Sequence, residues 1–222
     1  MIWKRSLVWD LPTRIFHWVL IMLVGTSWWS AEFRQMEWHY RSGLAICVLV
    51  LFRLIWGFVG TETSRFARFV REPREVFAYA LGRSGAFDRP GHNPLGGWSV
   101  VALVGLTALQ VALGFFAVDV DGMESGPLSY LVDFDQGRTA AGMHALIFDI
   151  LLVLIALHIL AVAFYLLVKR RNLITPMITG YAEVPAQDPV PQVRRAPVSR
   201  AIAALCVATF VTYALSQGLG FQ

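Results

Sequence analysis

Five histidines are the residues of this 222-residue chain whose type and placement indicate chemistry. His144 and His158 stand fourteen residues apart in one apolar run, so on a helix their rings leave within about 40° of each other. They would lie about 21 Å apart along the axis, roughly two thirds of the hydrocarbon thickness of a bilayer. A histidine inside a membrane is costly to bury and is interpreted as functional by default. This stripe predicts two ligand sites at different depths.

The elements that must position these histidines are predicted transmembrane helices. The chain is 56% hydrophobic and 15% charged, which excludes an ordinary soluble domain and is typical of an all-α integral membrane protein. We predict four spans that form a helical bundle and a fifth, weaker span near the C-terminus; their approximate bounds are 15–29, 38–59, 95–116, 142–168 and 202–215. The N-terminal segment could pass for a signal peptide, but cleavage after it would remove His17, and we interpret it as a retained first span.

Positive charges predict the orientation of the spans. The N-terminus, the 60–91 loop and the 169–200 segment together carry 15 of the 19 Lys and Arg residues. By the positive-inside rule these segments lie in the cytoplasm, and the chain is predicted to be a multi-pass membrane protein with a cytoplasmic N-terminus. The net charge of +4 then reflects topology, and no nucleic acid partner is expected. The acidic 117–143 loop falls outside, where acidic residues are tolerated.

This topology sorts the histidines of the spans into two pairs. His17 and His158 lie towards the cytoplasmic side, whereas His39 and His144 stand at the outer starts of their spans. Each pair has the ligand count of a six-coordinate haem b, so two haem b groups are predicted. The alternative is that each histidine packs and hydrogen-bonds within the bundle. Zinc fits less well, because two imidazoles without a neighbouring Cys or Asp leave it under-ligated.

Four further residues are candidates for cofactor binding. Gly43, one turn after His39, would let a flat macrocycle approach the helix, although glycines also serve close helix packing. Arg53 lies fourteen residues after His39, at the depth of the inner pair, where it would bind a haem propionate or else extend to the cytoplasmic surface. Arg14 and Arg41 would likewise meet propionates or only mark the interface.

Several segments, taken in order, resemble a known family: VWDLPTRIFHW, WHYRSG, LFRLIWGFVG, GHNPLGG and the two histidines of the fourth span followed by NLITPMITG. The chain resembles the bacterial cytochrome b561 family, which shares its fold with the cytochrome b subunit of nickel–iron hydrogenases. The resemblance covers residues 7–181 and implies a four-helix transmembrane bundle with two b haems. The ligands that it implies are His17, His39, His144 and His158.

The resemblance also implies a function. We expect electron transfer between quinone or quinol and a periplasmic partner such as a c-type cytochrome or a hydrogenase. Two alternatives remain: a stand-alone superoxide:quinone oxidoreductase, against which the acidic outer loop argues mildly, and a haem-containing membrane anchor. The expected domains are the dihaem bundle, a Pro-rich cytoplasmic linker and an additional C-terminal helix, at 1–181, 182–200 and 201–222.

His92 stands apart from the two pairs. It lies in Gly91-His92-Asn93-Pro94, at the cytoplasmic mouth of the third span. In one interpretation this segment is a helix-entry loop in which Asn93 caps the helix. In the other, His92 is a proton or hydrogen-bond partner for a quinone near the inner haem.

Overall fold

The computed structural model describes residues 3–83, 91–185 and 193–218. Its elements follow one another as β1 (Trp3–Leu7), α1 (Leu11–Glu32), α2 (Met36–Val59), a 3-10 turn (Glu62–Ser64), α3 (Phe66–Phe69), α4 (Pro73–Ala80), α5 (Pro94–Phe116), a 3-10 turn (Ser129–Leu131), α6 (Phe134–Leu167), α7 (Ile174–Thr179), β2 (Tyr181–Pro185) and α8 (Val198–Ser216). Residues 84–90, within the predicted basic loop, and 186–192, within the predicted linker, lie outside the described residues, as do 1–2 and 219–222.

Four of the described helices are long and apolar enough to cross a membrane: α2, α5, α6 and α8. Only 6% of the most apolar window of α6 is buried within the protein, and a helix with that much exposed apolar surface is suited to lipid. The chain is therefore a multi-pass membrane protein. Helix α1, with 22 residues, is long enough but is less apolar, because Arg14, His17 and a Ser- and Trp-rich end lower its hydropathy. That α1 crosses the membrane stays a prediction.

Helix α6 begins earlier than the fourth predicted span. It starts at Phe134, so the end of the predicted 117–143 loop is helical. The reason is a reciprocal cap: the Gln136 backbone N–H donates to Asp133 Oδ1, and the Asp133 backbone N–H donates to Gln136 Oε1. Such a capping box satisfies two of the free amides at a helix start. The polar first turns of α6 are thus part of the helix that carries His144.

A two-stranded antiparallel sheet is a feature that the helical pattern did not predict. Strand β1 pairs with β2 in a register that sets Trp3 opposite Pro185 and Leu7 opposite Tyr181. Gly180, just before β2, ends α7 with φ +91° and accepts the backbone N–H groups of Val8 and Trp9 at 2.8 and 3.1 Å. A glycine suits this position because its left-handed backbone is strained for other residues.

The described residues form two compact units. The first unit comprises 1–17, 53–102 and 157–202, and the second comprises 18–52, 103–156 and 203–222. Helices α1, α2, α5, α6 and α8 each contribute residues to both. The β1–β2 sheet, α3, α4 and α7 belong wholly to the first unit.

The second unit has an apolar core that includes the C-terminal helix. Buried Cys47, Phe115 and Leu128 form a cluster against which Leu215 of α8 packs. The buried residues of α8 in this unit, Ala204, Ala208 and Thr212, recur every four residues, so one narrow face of small side chains is turned inwards. Helix α8 is thus a packed element of the second unit and not a loose tail.

Candidate functional site

His39 and His144 lie together in the second unit. Their ring centroids are 6.0 Å apart, with the ring planes at 77°. His39 Nδ1 lies 2.9 Å from the Ser27 carbonyl oxygen, and His144 Nδ1 lies 2.8 Å from the Gln110 carbonyl oxygen. Because a carbonyl only accepts, each Nδ1 is the donor, and each neutral ring keeps Nε2 as its metal-binding nitrogen.

The spacing of these rings fits two axial ligands of one iron. A metal–nitrogen bond of about 2 Å on either side, extended to the two ring centres, separates the centres by about 6 Å. The observed separation of 6.0 Å agrees with this value. A neutral imidazole whose other nitrogen is held by a carbonyl is also the usual form of a histidine ligand. The residues present therefore fit a bis-histidine haem.

Helix α5 carries no histidine but helps to orient one. The carbonyl that holds His144 belongs to Gln110, and Gly114 stands one turn further along α5. A Cβ added at Gly114 would lie 3.1 Å from His144 Cε1, which is tighter than most contacts allow. Sequence analysis missed both residues, since a carbonyl is offered by every residue type and a glycine in a membrane helix has many uses.

Gly43 has the surroundings expected beside a flat ligand. It lies one turn after His39 on α2 and is half-buried. A Cβ added there would meet no atom within 4 Å, so this face has room for a planar group. The prediction for Gly43 is compatible with this geometry.

The first unit contains the other three histidines. His17 and His158, the predicted inner pair, interact electrostatically. His92 interacts electrostatically with His158 and also with Arg53. The structure thus brings the predicted inner ligands, the predicted quinone-adjacent histidine and the predicted propionate partner into one unit.

Asp10 is the centre of a buried hydrogen-bond network in the first unit. Its Oδ1 accepts the Thr13 backbone N–H at 2.9 Å and so caps α1. Its Oδ2 accepts Trp56 Nε1 at 3.0 Å and Ser64 Oγ at 3.3 Å. The network ties the start of α1, which carries His17, to the end of α2. The distant partners of Asp10, Trp56 and Ser64, were not predicted from the sequence.

Arg53 is surrounded by aromatic rings and not by carboxylates. It is 2% exposed, and its guanidinium carbon lies 4.8 Å from the Phe66 ring centre and 5.9 Å from that of Phe69. Such contacts are favourable for a cation. They do not satisfy its N–H donors, and the buried Nη1 of Arg53 has no hydrogen-bond partner among the described residues.

His92 is held between two aromatic rings. Its ring centre lies 4.5 Å from that of Trp9 and 4.7 Å from that of Phe69. Burial, with further contributions from the charge of Arg53 and from His158, lowers the pKa of His92 to about 3. The ring is therefore neutral at physiological pH. The Oδ1 of Asn93, next to it, accepts the Gly96 N–H at 2.7 Å and caps α5, which confirms the cap that the helix-entry interpretation predicts. The role of His92 beside a quinone stays a prediction.

The other two predicted arginines have partners of their own. Arg14 Nη1 donates to the Ile178 carbonyl of α7. Arg41 forms an exposed ion pair with Glu37, one turn away on α2. A role for either side chain in binding a propionate stays a prediction.

Comparison with known proteins adds a family to this geometry. The sequence profile described as Prokaryotic cytochrome b561 matches residues 8–180. The chain is 24% identical over 208 residues to a Probable Ni/Fe-hydrogenase B-type cytochrome subunit of Azotobacter chroococcum mcd 1, a match that covers 78% of this chain and 87% of the relative. No solved structure matches.

Proposed function

Because the chain belongs to the prokaryotic cytochrome b561 family, we propose that it is a dihaem cytochrome that transfers electrons between the quinone pool and a periplasmic redox partner. Membership of this family makes it a membrane electron-transfer protein with b-type haem. Haem b supplies reversible one-electron chemistry at its iron when bound. The observation that carries the haem-binding proposal is the 6.0 Å separation of the His39 and His144 rings, with both Nδ1 atoms held by carbonyls. This pair supports one haem site, and the electrostatic interaction of His17 with His158 supports the second.

The chain's own residues would bind, orient and insulate the cofactors. His39 with His144 would ligate one haem in the second unit, and His17 with His158 would ligate the other in the first unit. Hydrogen bonds from Nδ1 to carbonyls fix the ring orientation and increase the basicity of Nε2, which stabilises the oxidised metal. Aromatic and aliphatic surroundings keep water away and set the local dielectric.

The orientation and the partner belong to the same proposal. We propose a cytoplasmic N-terminus, an inner-membrane location and a periplasmic partner, on the distribution of Lys and Arg. The relative from Azotobacter is described as a hydrogenase cytochrome subunit, which supports a hydrogenase-like donor over a c-type cytochrome. Residues 1–181 would form the dihaem domain, 182–200 a cytoplasmic connection, and 201–222 a fifth spanning helix.

Haem content tests the ligand scheme directly. Purified wild-type protein, His39→Ala and His158→Ala would be compared by pyridine haemochrome per mole of chain. We expect two b haems in the wild type and the loss of one, from different units, in each variant. A wild type with one haem or none would contradict the paired scheme. Reduction of both haems by a soluble quinol, at rates that saturate with its concentration, would then test the quinone assignment.

A further inference from the structure

Two buried side chains of the first unit each have a polar atom without a hydrogen-bond partner among the described residues: Arg53 Nη1 and His92 Nδ1. A guanidinium carries five N–H donors, and an imidazole carries one donor and one acceptor. Buried polar groups in native proteins nearly always have a partner, and a buried charge without one is strongly unfavourable. Two such groups in one place indicate that a ligand completes their hydrogen bonds.

A carboxylate of the same unit, that of Asp10, does not supply the missing hydrogen bonds. Asp10 interacts electrostatically with Arg53, but no ion pair of Arg53 occurs among the described residues. Both carboxylate oxygens of Asp10 are already used by Thr13, Trp56 and Ser64. Asp10 therefore balances part of the charge of Arg53 without a direct ion pair, and Arg53 Nη1 keeps no partner among the described residues.

Arg53 and His92 adjoin one another around a single ring. Phe69 contacts the guanidinium at 5.9 Å and the imidazole at 4.7 Å, and the two polar groups interact electrostatically. Two glycines permit this arrangement. A Cβ added at Gly97 would lie 2.7 Å from the Phe69 carbonyl oxygen, and one added at Gly57 would overlap the Phe66 ring.

We propose that Arg53 and His92 together bind one oxygen acceptor of a redox ligand, a carboxylate or a quinone-type carbonyl. Since His92 is neutral, the pair presents one positive charge and matches one carboxylate or one carbonyl that gains negative charge on reduction. The rings of Trp9, Phe66 and Phe69 strengthen the interaction by excluding water. The inference rests on the proposed function, whose ligands offer both groups: a propionate of the haem bound by His17 and His158, or the headgroup of a quinone.

A double-mutant cycle tests whether the two residues share one ligand. Arg53→Gln, His92→Gln and the double variant would be compared with the wild type in haem content, haem midpoint potentials and the quinol concentration for half-maximal haem reduction. If one group bridges the residues, the double variant is no worse than the more damaging single variant. Arg68→Gln is the matched control, because Arg68 lies in the same unit but pairs with Glu62 at an exposed position.

The two sources of the acceptor give different results. A propionate predicts that both single variants lower the midpoint potential or the occupancy of one haem, with an unchanged quinol dependence. A quinone predicts at least a tenfold rise in the half-maximal quinol concentration, with unchanged potentials. Arg53→Lys, which keeps the charge but loses the planar fork, replaces Arg53→Gln if the latter does not fold.

Additive effects in the double variant would overturn the inference, as would an absence of change in every readout. An equal effect of Arg68→Gln would also overturn it. These outcomes, with two haems in the wild type, leave the proposed function standing. A wild type without haem would refute the proposed function itself.

Discussion

The histidines of the two units are held by different kinds of group. In the second unit, His39 and His144 donate to backbone carbonyls of Ser27 and Gln110. In the first unit, His92 lies between the rings of Trp9 and Phe69 and near the charge of Arg53, and the same unit contains the buried hydrogen-bond network centred on Asp10. Backbone acceptors orient a ring without adding a charge. Side-chain networks place full charges near it.

The two units therefore depend on different interactions: the second unit on packing geometry and the first unit on electrostatics. The ring orientation in the second unit depends on helix packing and is sensitive to bulk. The first unit depends on particular charges and hydrogen-bond partners and is sensitive to chemistry at constant size. A substitution that adds bulk should therefore affect the second unit more strongly, and a substitution that changes charge at constant size should affect the first unit more strongly.

The largest effect is expected from added bulk in the second unit. Gly114→Val should displace His144, because a single added Cβ would already lie 3.1 Å from its ring, and about one of the two haems should be lost. Gly105→Val on the same helix is the control, since a Cβ there meets no atom within 4 Å. Pyridine haemochrome measures both. Equal haem content in the two variants would show that α5 does not position His144.

A change of charge at constant size should act on the first unit. Asp10→Asn places an amide against three donors and removes a negative charge near Arg53, so the free energy of unfolding should fall by about 3 kcal/mol. Asp133→Asn, at the exposed cap of α6, should change it by less than about 0.5 kcal/mol, because Asn caps as well as Asp. Chemical unfolding in detergent micelles gives both values. Similar losses of unfolding free energy in Asp10→Asn and Asp133→Asn would contradict the proposed contrast between the units.

Packing of α8 in the second unit predicts a smaller effect. Ala208 is 0% exposed, and Ala208→Leu should cost about 2 kcal/mol through overpacking. Val207→Leu, at a neighbouring position that is 52% exposed, should be nearly neutral. The same unfolding assay applies. If both variants were neutral, α8 would contribute no packing to this unit.

The smallest effect is expected from one hydrogen-bonded phenol in the first unit. Tyr165 Oη lies 2.8 Å from Tyr79 Oη and accepts Asn93 Nδ2 at 2.7 Å. Tyr165→Phe removes these bonds and should cost about 1 kcal/mol. Tyr213→Phe, at a position of α8 that is 63% exposed, should have no measurable effect. A neutral Tyr165→Phe would mean that the hydrogen bonds among Tyr79, Asn93 and Tyr165 stabilise the first unit less than those of Asp10.

The sequence was informative where a regular period governs the structure. Hydropathy predicted α2, α5 and α6 to within a few residues except at the start of α6, where the Asp133–Gln136 cap extends the helix. Helical spacing and charge asymmetry paired His39 with His144, and the structure brings these rings together.

The sequence was silent where the structure depends on loops and on the main chain. The surroundings of Arg53 come from α2, α3 and the loop before α5, whose mutual placement follows no period. The acceptors of His39 and His144 are carbonyls, which every residue possesses. Strand β1 has only five residues, which is too short for a distinctive pattern. Its partner lies far along the chain, so the pairing leaves no local signal in the sequence.

The β1–β2 sheet sets an order of assembly. Strand β1 is made first, but its partner, Tyr181–Pro185, follows α6 and α7 in the chain. Contacts across such a long loop form late, since the chain must close the loop before it gains from the pairing. The N-terminal strand must therefore wait until the seven α-helices described between the two strands have been synthesised, and it then pairs with the segment that follows them. The two strands can therefore pair only after α6 and α7 have been translated.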